Sequence, residues 1–335
     1  MSQDAKIFFS ASQEHFPPEE LLRQAVEASR SGFDGIASSD HLQPWWEPGE
    51  SGHTWPWLGA AGALTEDLPI GTAVTPIAKR YHPALIAQAW MTLERLFPGR
   101  PFLGVGSGEA LNEVQVGDDW PTPADQVDRM AEGLSIIRRL WDGETLSENG
   151  RFYKTRDTRL HTLADRKPPI WVSAFGPKAA KVAAEYGDGI WCLADPEMAP
   201  DVIATYHAER ERLGKDPGDV VLSVLISYAR SDEEALEAAR RWKGAQPSEF
   251  YKEDWHRPAE MFEEGDRRLS DAELAEKIIA SGDPQVHIER LREVIGLGAT
   301  VVCIQNNSGA DPLGAIEVYG ETVLPALRER SRTRG

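Results

Sequence analysis

The sequence predicts an α/β fold, a (β/α)8 TIM barrel with insertion loops at its C-terminal face. Short apolar runs alternate with amphipathic helical stretches, which is the pattern of repeated βα units on a parallel sheet. The chain has 335 residues, a length that single barrels reach. It contains no internal repeat, linker or low-complexity segment. We therefore expect one domain over residues 1–335.

Each predicted strand is a short apolar run, and the stretch that follows it has helical character. In the first such stretch, Leu21, Ala25 and Ala28 form an apolar stripe near the 3.6-residue period. Pro177 follows the fifth strand at a position that favours the first turn of a helix. The eight predicted strands are Lys6–Ser10, Gly35–Ser39, Pro69–Val74, Phe102–Val105, Pro169–Ser173, Gly189–Leu193, Val220–Ser227 and Thr300–Ile304.

Two segments interrupt this alternation, at about 42–66 and about 245–270. The first is a tryptophan-rich loop after the second strand, and the second is charged and irregular. Both are longer than the roughly two to six residues of an ordinary βα loop. Because sites in barrels are built from the loops at the C-terminal face, we interpret both segments as insertions at that face.

Composition excludes several classes of protein. The net charge is −18, with 54 acidic and 36 basic residues, the opposite of what a nucleic-acid or anionic-membrane surface needs. The two cysteines lie in apolar runs, so we expect buried thiols and no disulfide framework. We see no signal peptide and no apolar stretch of roughly 18 residues. A small-molecule partner and a cytoplasmic location are expected.

Polar residues at the ends of the predicted strands should converge on one site, because the C-terminal ends of barrel strands share a rim. His41 can exchange a proton near neutral pH, and the adjacent Asp40 could orient it. The glycine-rich segment 106–108 would let a flat cofactor approach the backbone. The strand-end residues are Asp40, His41, Thr72–Thr75, Glu109, Asn112, Ser173–Gly176, Asn306 and Asn307.

Two other kinds of catalytic site are not favoured. The histidines show neither an HExxH motif nor a paired i, i+4 spacing, so we predict no metal site. No Gly-x-Ser-x-Gly elbow joins a strand to a helix, which argues against a serine hydrolase.

Several segments resemble one known family. They are SDHLQPW at 39–45, YHPALIAQ at 81–88, FLGVGSGEALNE at 102–113, YGDGI at 186–190 and SGDP at 281–284. Together they resemble the F420-dependent glucose-6-phosphate dehydrogenases of the bacterial-luciferase-like superfamily, in register over nearly the whole chain. The string from Gly104 to Glu113 is similar to the F420 branch in particular. The resemblance implies coenzyme F420 and a homodimer.

The resemblance also implies roles for individual residues. His41, Trp45 and Glu109 match the family's active-site trio, and Glu14 matches a position that faces the sugar. The Ala73–Val74 peptide bond matches a cis bond. The positions expected to line the cofactor are Asp40, Thr72, Ala73, Val74, Gly106, Ser107, Gly108, Asn112, Ser173, Ala174 and Gly176.

The cationic positions depart from the family. The family holds a substrate phosphate with two lysines and an arginine. Lys252 matches one lysine, and Lys277 lies where the arginine is expected. A lysine can bind phosphate only as a point charge, without the bidentate fork of arginine. The third cation is expected after the sixth strand, where Ala194–Glu197 contains two acidic residues instead.

The expected reaction is oxidation of a sugar C1 hydroxyl, with the hydride passing to F420. Glucose 6-phosphate, giving 6-phosphogluconolactone, is the first expectation, and His41 or Glu109 would take the proton. Trp45 would face the developing positive charge. One alternative is an F420-dependent dehydrogenase of an unphosphorylated sugar or another alcohol. An FMN-dependent luciferase-like monooxygenase is less favoured because of the string around Glu109, and a non-catalytic binding barrel because both His41 and Glu109 are present.

Overall fold

Ten strands form the centre of the protein in the computed structural model, which describes residues 5–65, 67–117 and 119–332. The strands are β1 (Lys6–Ala11), β2 (Gly35–Ser38), β3 (Ile70–Thr72), β4 (Thr75–Pro76), β5 (Pro101–Gly106), β6 (Ile170–Ser173), β7 (Gly189–Leu193), β8 (Asp219–Tyr228), β9 (Ile278–Ser281) and β10 (Val301–Asn306).

Eight of these strands close into a parallel barrel. Each of β1, β2, β3, β5, β6, β7 and β8 pairs with the next in that order, and β10 pairs with both β8 and β1. The register of the closing pair runs from Val301 opposite Val221 to Asn306 opposite Ile226. The predicted (β/α)8 barrel and all eight predicted strands are confirmed.

Two short strands were not predicted from the sequence. β4 pairs with the end of β5, and β9 extends from the outer half of β8 beyond the closed barrel. β4 has only two residues, and β9 has no turn residue before it because it begins directly after a helix. β4 is therefore too short to be recognised as a strand, and β9 has a turn signal only on its C-terminal side, at Gly282–Pro284.

Helices surround the barrel and connect its strands. They are α1 (Pro18–Arg30), α2 (Thr54–Leu64), α3 (Pro83–Leu96), α4 (Ala110–Glu113), α5 (Pro123–Trp141), α6 (Pro177–Tyr186), α7 (Ala199–Arg212), α8 (Asp232–Ala239), α9 (Pro258–Arg268), α10 (Asp271–Lys277), α11 (Pro284–Gly296), α12 (Pro312–Val318) and α13 (Leu324–Arg332). Shorter turns are the 3₁₀ helices Val114–Val116, Arg240–Ala245 and Ser248–Tyr251, and the π-helix Tyr319–Val323.

Both insertions are more regular than the sequence suggested. The first, 42–66, contains α2, which begins at a His53 cap and is apolar on every side. Position 66 itself lies outside the described residues. The second, 245–270, contains a 3₁₀ turn and α9, whose Pro258 occupies a first-turn position. The expectation of an irregular second insertion was wrong. Only a narrow face of α9 is buried, and its many charged residues leave little apolar periodicity from which a helix could be predicted.

The barrel interior is filled with aromatic rings. Ring centroids of Phe8 and Phe102 lie 5.7 Å apart, those of Phe102 and Trp171 lie 4.5 Å apart, and those of Trp171 and Trp191 lie 5.9 Å apart. Gly71 on β3 makes room for this layer, because a Cβ there would lie 2.2 Å from the Phe102 carbonyl oxygen. The rings give the C-terminal face a packed floor.

The second insertion packs onto the first rather than standing apart. Trp45 and Trp46 share an apolar cluster with Trp242, Phe250 and Met261. The buried Nζ of Lys243 also forms an ion pair with Asp266 of α9, at 2.9 Å. We propose on these contacts that the barrel and both insertions form a single domain, as the sequence predicts for 1–335; residues 1–4, 66, 118 and 333–335 lie outside the described part.

Two further findings bear on the classes considered above. Cys192 and Cys303 are buried, and burial raises the pKa of each thiol to about 12, as expected for core residues. Among the described residues, no helix combines the length and apolar character that crossing a bilayer requires, and no group of three His, Cys, Asp or Glu side chains could hold a metal ion.

Candidate active site

The C-terminal ends of β2 and β5 bring His41 and Glu109 together. Nε2 of His41 lies 3.5 Å from Oε1 of Glu109, and both side chains are mostly buried. Glu109 is the residue that precedes α4, so its position depends on how that short helix starts. An imidazole and a carboxylate at this separation can share or pass a proton.

Asn112 joins the two groups. Its Nδ2 lies 3.1 Å from Nδ1 of His41 and 3.1 Å from Oε1 of Glu109. Its Oδ1 accepts hydrogen bonds from the backbone amides of Leu42 and Gln43, at 2.7 and 3.0 Å. Because those amides can only donate, the amide of Asn112 has one orientation, and Nδ2 donates to both His41 and Glu109.

This orientation determines the tautomer of neutral His41. Nδ1 accepts a hydrogen bond from Asn112, so the single ring proton resides on Nε2, the nitrogen that faces Glu109. The sequence-based expectation that Asp40 orients His41 is replaced by this finding. The Asp40 carboxylate accepts hydrogen bonds from Thr75, Arg80 and Tyr81 instead.

Burial makes Glu109 a stronger base than an ordinary carboxylate. Desolvation raises the pKa of Glu109, a positive charge on His41 opposes that rise when the ring is protonated, and the negative charge of Glu14 adds to it. Oε2 of Glu109 is buried and accepts no hydrogen bond from any residue in the described part of the chain. That oxygen therefore has no hydrogen-bond partner among the described residues.

Glu14 lies after β1 and, unlike Glu109, has hydrogen-bond donors at both carboxylate oxygens. Ser39 donates a hydrogen bond to its Oε2, and Gln305 donates to its Oε1 at 3.4 Å. The side chain of Gln305 also bonds to Ser12. Both oxygens of Glu14 therefore have protein partners, although only 2% of the residue is exposed.

Aromatic side chains from the insertions cover this polar group. The ring of Trp45 lies 5.4 Å from that of His41, and Tyr251 lies 5.6 Å from Trp45. Phe175 lies 6.1 Å from Tyr251 and is exposed. Tyr251 was not foreseen as a site residue, and Phe175 was foreseen only as a member of the strand-end range Ser173–Gly176. Tyr251 immediately precedes Lys252, which could have drawn attention to it.

The positions expected to line a cofactor form a surface poor in side chains. The Ala73–Val74 bond is cis, as the resemblance implied. A Cβ at Gly106 would lie 2.8 Å from the side chain of Val74, whereas one at Gly176 would meet no atom within 4 Å. Ser107 and Ser173 are partly buried, Ala174 is buried, Gly108 has a φ of +80°, and the hydroxyl of Thr72 donates to the Gly104 carbonyl.

The expected phosphate-binding cations lie at the periphery. Lys252 follows the turn that carries Tyr251, and Lys277 is the last residue of α10; both are exposed. Where a third cation was sought, Asp195 accepts hydrogen bonds from the amides of Glu197 and Met198 at the start of α7. This carboxylate stabilises a turn and adds negative charge to the rim.

Comparison with known proteins assigns the family. The family model described as luciferase-like monooxygenase matches residues 5–301. The chain belongs to the luciferase-like family. Within it, the chain is 37% identical to an F420-dependent glucose-6-phosphate dehydrogenase of Microbacterium testaceum, over 98% of this chain and 99% of that one. A protein of the same name from Beutenbergia cavernae is also 37% identical, over 98% of each chain.

Two solved structures show the same fold. An F420-dependent secondary alcohol dehydrogenase in complex with an F420–acetone adduct superposes with a TM-score of 0.91 and 29% identity, over 98% of this chain and 100% of that one. The F420-dependent tetrahydromethanopterin reductase of Methanopyrus kandleri superposes with a TM-score of 0.80 over 97% of this chain and 100% of that one, at 18% identity, which concerns the fold alone.

The orientation of Asn112 predicts a single tautomer of His41. Nitrogen-15 NMR of the histidine side chains, with His41 assigned through His41→Asn, should show the neutral ring protonated on Nε2. In Asn112→Ala the donor to Nδ1 is lost, so the Nδ1-protonated form should become populated. His82→Asn serves as the control, since that ring caps α3 and should leave the His41 signals in place. Protonation of Nδ1 in the wild type would contradict the assignment.

Proposed function

We propose that the chain is an F420-dependent dehydrogenase that oxidises a sugar or sugar 6-phosphate at its C1 hydroxyl, with glucose 6-phosphate as the first candidate substrate. The single observation that carries this proposal is the His41–Asn112–Glu109 group beneath Trp45, at the rim where cofactor-lining positions converge. The names of its relatives support the cofactor and the substrate.

The lining positions fit a planar deazaflavin. Ala73, Gly106, Ala174 and Gly176 contribute no bulky side chain, and space is open above Gly176. When bound, F420 accepts a hydride at its ring carbon. The chain's own part is to hold the hydroxyl-bearing carbon of the substrate against the ring, exclude water and accept the hydroxyl proton.

Glu109 is the better candidate for the proton acceptor. The free Oε2 of Glu109 can receive a proton, whereas Nδ1 of neutral His41 is occupied by Asn112 and Nε2 already carries the ring proton. His41 would then donate a hydrogen bond from Nε2 and stabilise the charge on Glu109. Trp45 would cover the substrate face on which positive charge develops.

A second substrate class is favoured by the charges at the rim. The acidic turn at Asp195 and Glu197 opposes a phosphate, and the two lysines are exposed to solvent, which screens them. An unphosphorylated sugar or another alcohol would avoid this repulsion. Its C1 or secondary hydroxyl would be oxidised by the same residues.

The decisive experiment measures loss of the visible absorbance of oxidised F420 with glucose 6-phosphate, glucose and 2-propanol in parallel. If phosphate is recognised, Lys252→Ala should lower kcat/KM for glucose 6-phosphate by roughly 10- to 100-fold, the effect of losing one charge-assisted hydrogen bond. Lys6→Ala, at the opposite end of the barrel, is the matched control. Bleaching with glucose or 2-propanol alone would identify the second class, and no bleaching with any alcohol would reject the dehydrogenase.

The pH dependence of kcat should report the ionisation of Glu109. Activity should rise as pH increases through the raised pKa of Glu109, because only the carboxylate can accept the proton. Glu14→Gln removes a charge that raises this pKa, so the acidic limb should move to lower pH. Glu211→Gln, on the exposed face of α7, should leave the limb in place. If the acidic limb of the pH profile stays in place in Glu14→Gln, the assignment of Glu109 as the proton acceptor is wrong.

A homodimer is proposed on the outer face of α2. Pro56, Gly59, Ala60, Ala63 and Leu64 form a partly or fully exposed face without any charge, on a chain whose net charge is −18. Small side chains of this kind allow two helices to pack closely. The free, buried thiols are compatible with the proposed cytoplasmic location.

Sedimentation should show twice the chain mass of 37.1 kDa for the wild type. Ala63→Glu places like charges across the proposed two-fold interface, so it should shift the protein toward monomers. Ala272→Glu, an exposed change on α10, is the control. A monomeric wild type would rule out the dimer, and an unchanged Ala63→Glu dimer would place the interface elsewhere.

A further inference from the structure

A buried ion cluster lies directly behind the candidate site. Nε of Arg80 lies 2.8 Å from Oε1 of Glu113, and its Nη1 lies 3.3 Å from Oδ1 of Asp40. Its Nη2 also donates to the backbone carbonyl of Asp40, at 2.8 Å. The exposed fractions of the three side chains are 7%, 0% and 1% for Arg80, Glu113 and Asp40, so water does not compete for these contacts.

The two carboxylates belong to the two segments that carry the proton-transfer pair. Asp40 immediately precedes His41. Glu113 ends α4, the helix that begins after Glu109. One guanidinium therefore connects the segment after β2 to the segment after β5, one residue from His41 and one helical turn from Glu109. A planar guanidinium can bind two groups in fixed directions, which a single ammonium cannot do.

The other lone pairs of the carboxylates are also used. Oε2 of Glu113 accepts hydrogen bonds from the amides of Lys79 and Arg80, at 3.1 and 2.9 Å. Oδ2 of Asp40 accepts one from Thr75 at 2.6 Å, and its Oδ1 accepts one from Tyr81 at 3.2 Å. A buried polar network in which every member has a partner holds its atoms rigidly.

Stability alone does not account for this cluster. Burying charges costs solvation energy, and apolar residues of similar volume generally stabilise a core at least as well. Apolar residues could not form directional hydrogen bonds to the backbone and carboxylate of Asp40, beside His41, or to Glu113 of α4. The directional bonds of Arg80 are therefore better explained by the precision they give to the site.

We propose that Arg80 is a positioning residue that sets the separation of His41 and Glu109 by holding Asp40 and Glu113 on one guanidinium. The role in catalysis rests on the proposed dehydrogenase function. The structural part, control of the environment of Glu109, can be tested without any turnover.

The charges around Glu109 determine the direction in which each substitution should shift its pKa. Burial raises the pKa of Glu109, the charge of Arg80 lowers it, and the charge of Glu113 raises it. Removing Arg80 should therefore raise that pKa further, whereas neutralising Glu113 should lower it. The charged and titratable groups that face Glu109 are His41, Arg80, Glu14, Glu113 and Tyr251.

The experiment compares Arg80→Lys, Arg80→Met and Glu113→Gln with the wild type. Carbon-13 NMR of protein labelled at the glutamate carboxyl carbons, with Glu109 assigned through Glu109→Gln, gives the titration of Glu109 directly. We expect its pKa to move up in Arg80→Met, down in Glu113→Gln and little in Arg80→Lys. In Arg80→Lys, kcat should still fall by roughly 10- to 100-fold, because a retained charge does not restore the lost geometry.

Arg212→Met is the matched control. Arg212 pairs with Glu209 on the exposed C-terminal turn of α7, at the opposite end of the barrel, so its loss should change neither the Glu109 titration nor kcat. F420 binding, measured by quenching of its fluorescence, shows whether each variant keeps its cofactor site. If Arg80→Met does not fold, Arg80→Lys and Glu113→Gln still decide the question.

Two results would overturn the positioning role. One is a Glu109 titration that moves in the same direction in Arg80→Met and Glu113→Gln, which indicates general loosening of the site. The other is a wild-type kcat in Arg80→Lys. If the wild type fails to reduce F420 with any of the alcohols tested, the proposed function is wrong. The carbon-13 titrations would still show whether Arg80 controls the environment of Glu109.

Discussion

Closure of the barrel depends on β10, which pairs with β8 on one side and with β1 on the other. Once the ring is closed in parallel, all eight strands end at one rim, and residues far apart in the chain become neighbours. Glu14, His41 and Glu109 follow three different strands, yet His41 and Glu109 lie within 3.5 Å and the charge of Glu14 acts on Glu109. The aromatic layer inside the barrel supports this rim from below.

Two buried carboxylates within one pocket are differentiated by their hydrogen bonds. Both oxygens of Glu14 accept hydrogen bonds from protein donors, Ser39 and Gln305, which hold that side chain in place. Glu109 has one oxygen bonded to Asn112 and one without a protein partner. Desolvation raises the pKa of Glu109 above that of an ordinary carboxylate, and the charge of Glu14 adds to this rise.

The barrel and the insertions contribute different parts of the candidate site. Strand ends supply His41 and Glu109, the proposed proton-transfer pair, and a backbone surface with few large side chains, which suits a planar cofactor. The insertions supply Trp45, whose ring lies next to His41, and Tyr251, which packs with Trp45 in a shared apolar cluster. On the proposed function, the chemistry would reside on rigid elements, and the choice of substrate would depend on loops and on the charges of the rim, including Asp195.

The order of apolar runs was enough to predict eight strands and the barrel, because burial of alternating elements leaves a local and repeated pattern. The same logic placed His41, Glu109 and Asn112 at one rim. Only the tertiary structure showed that Asn112 orients His41, that Arg80 engages the carboxylate of Asp40, and that both insertions contain helices. A hydrogen bond depends on distances and directions between segments far apart in the chain, and no local pattern of residues encodes them.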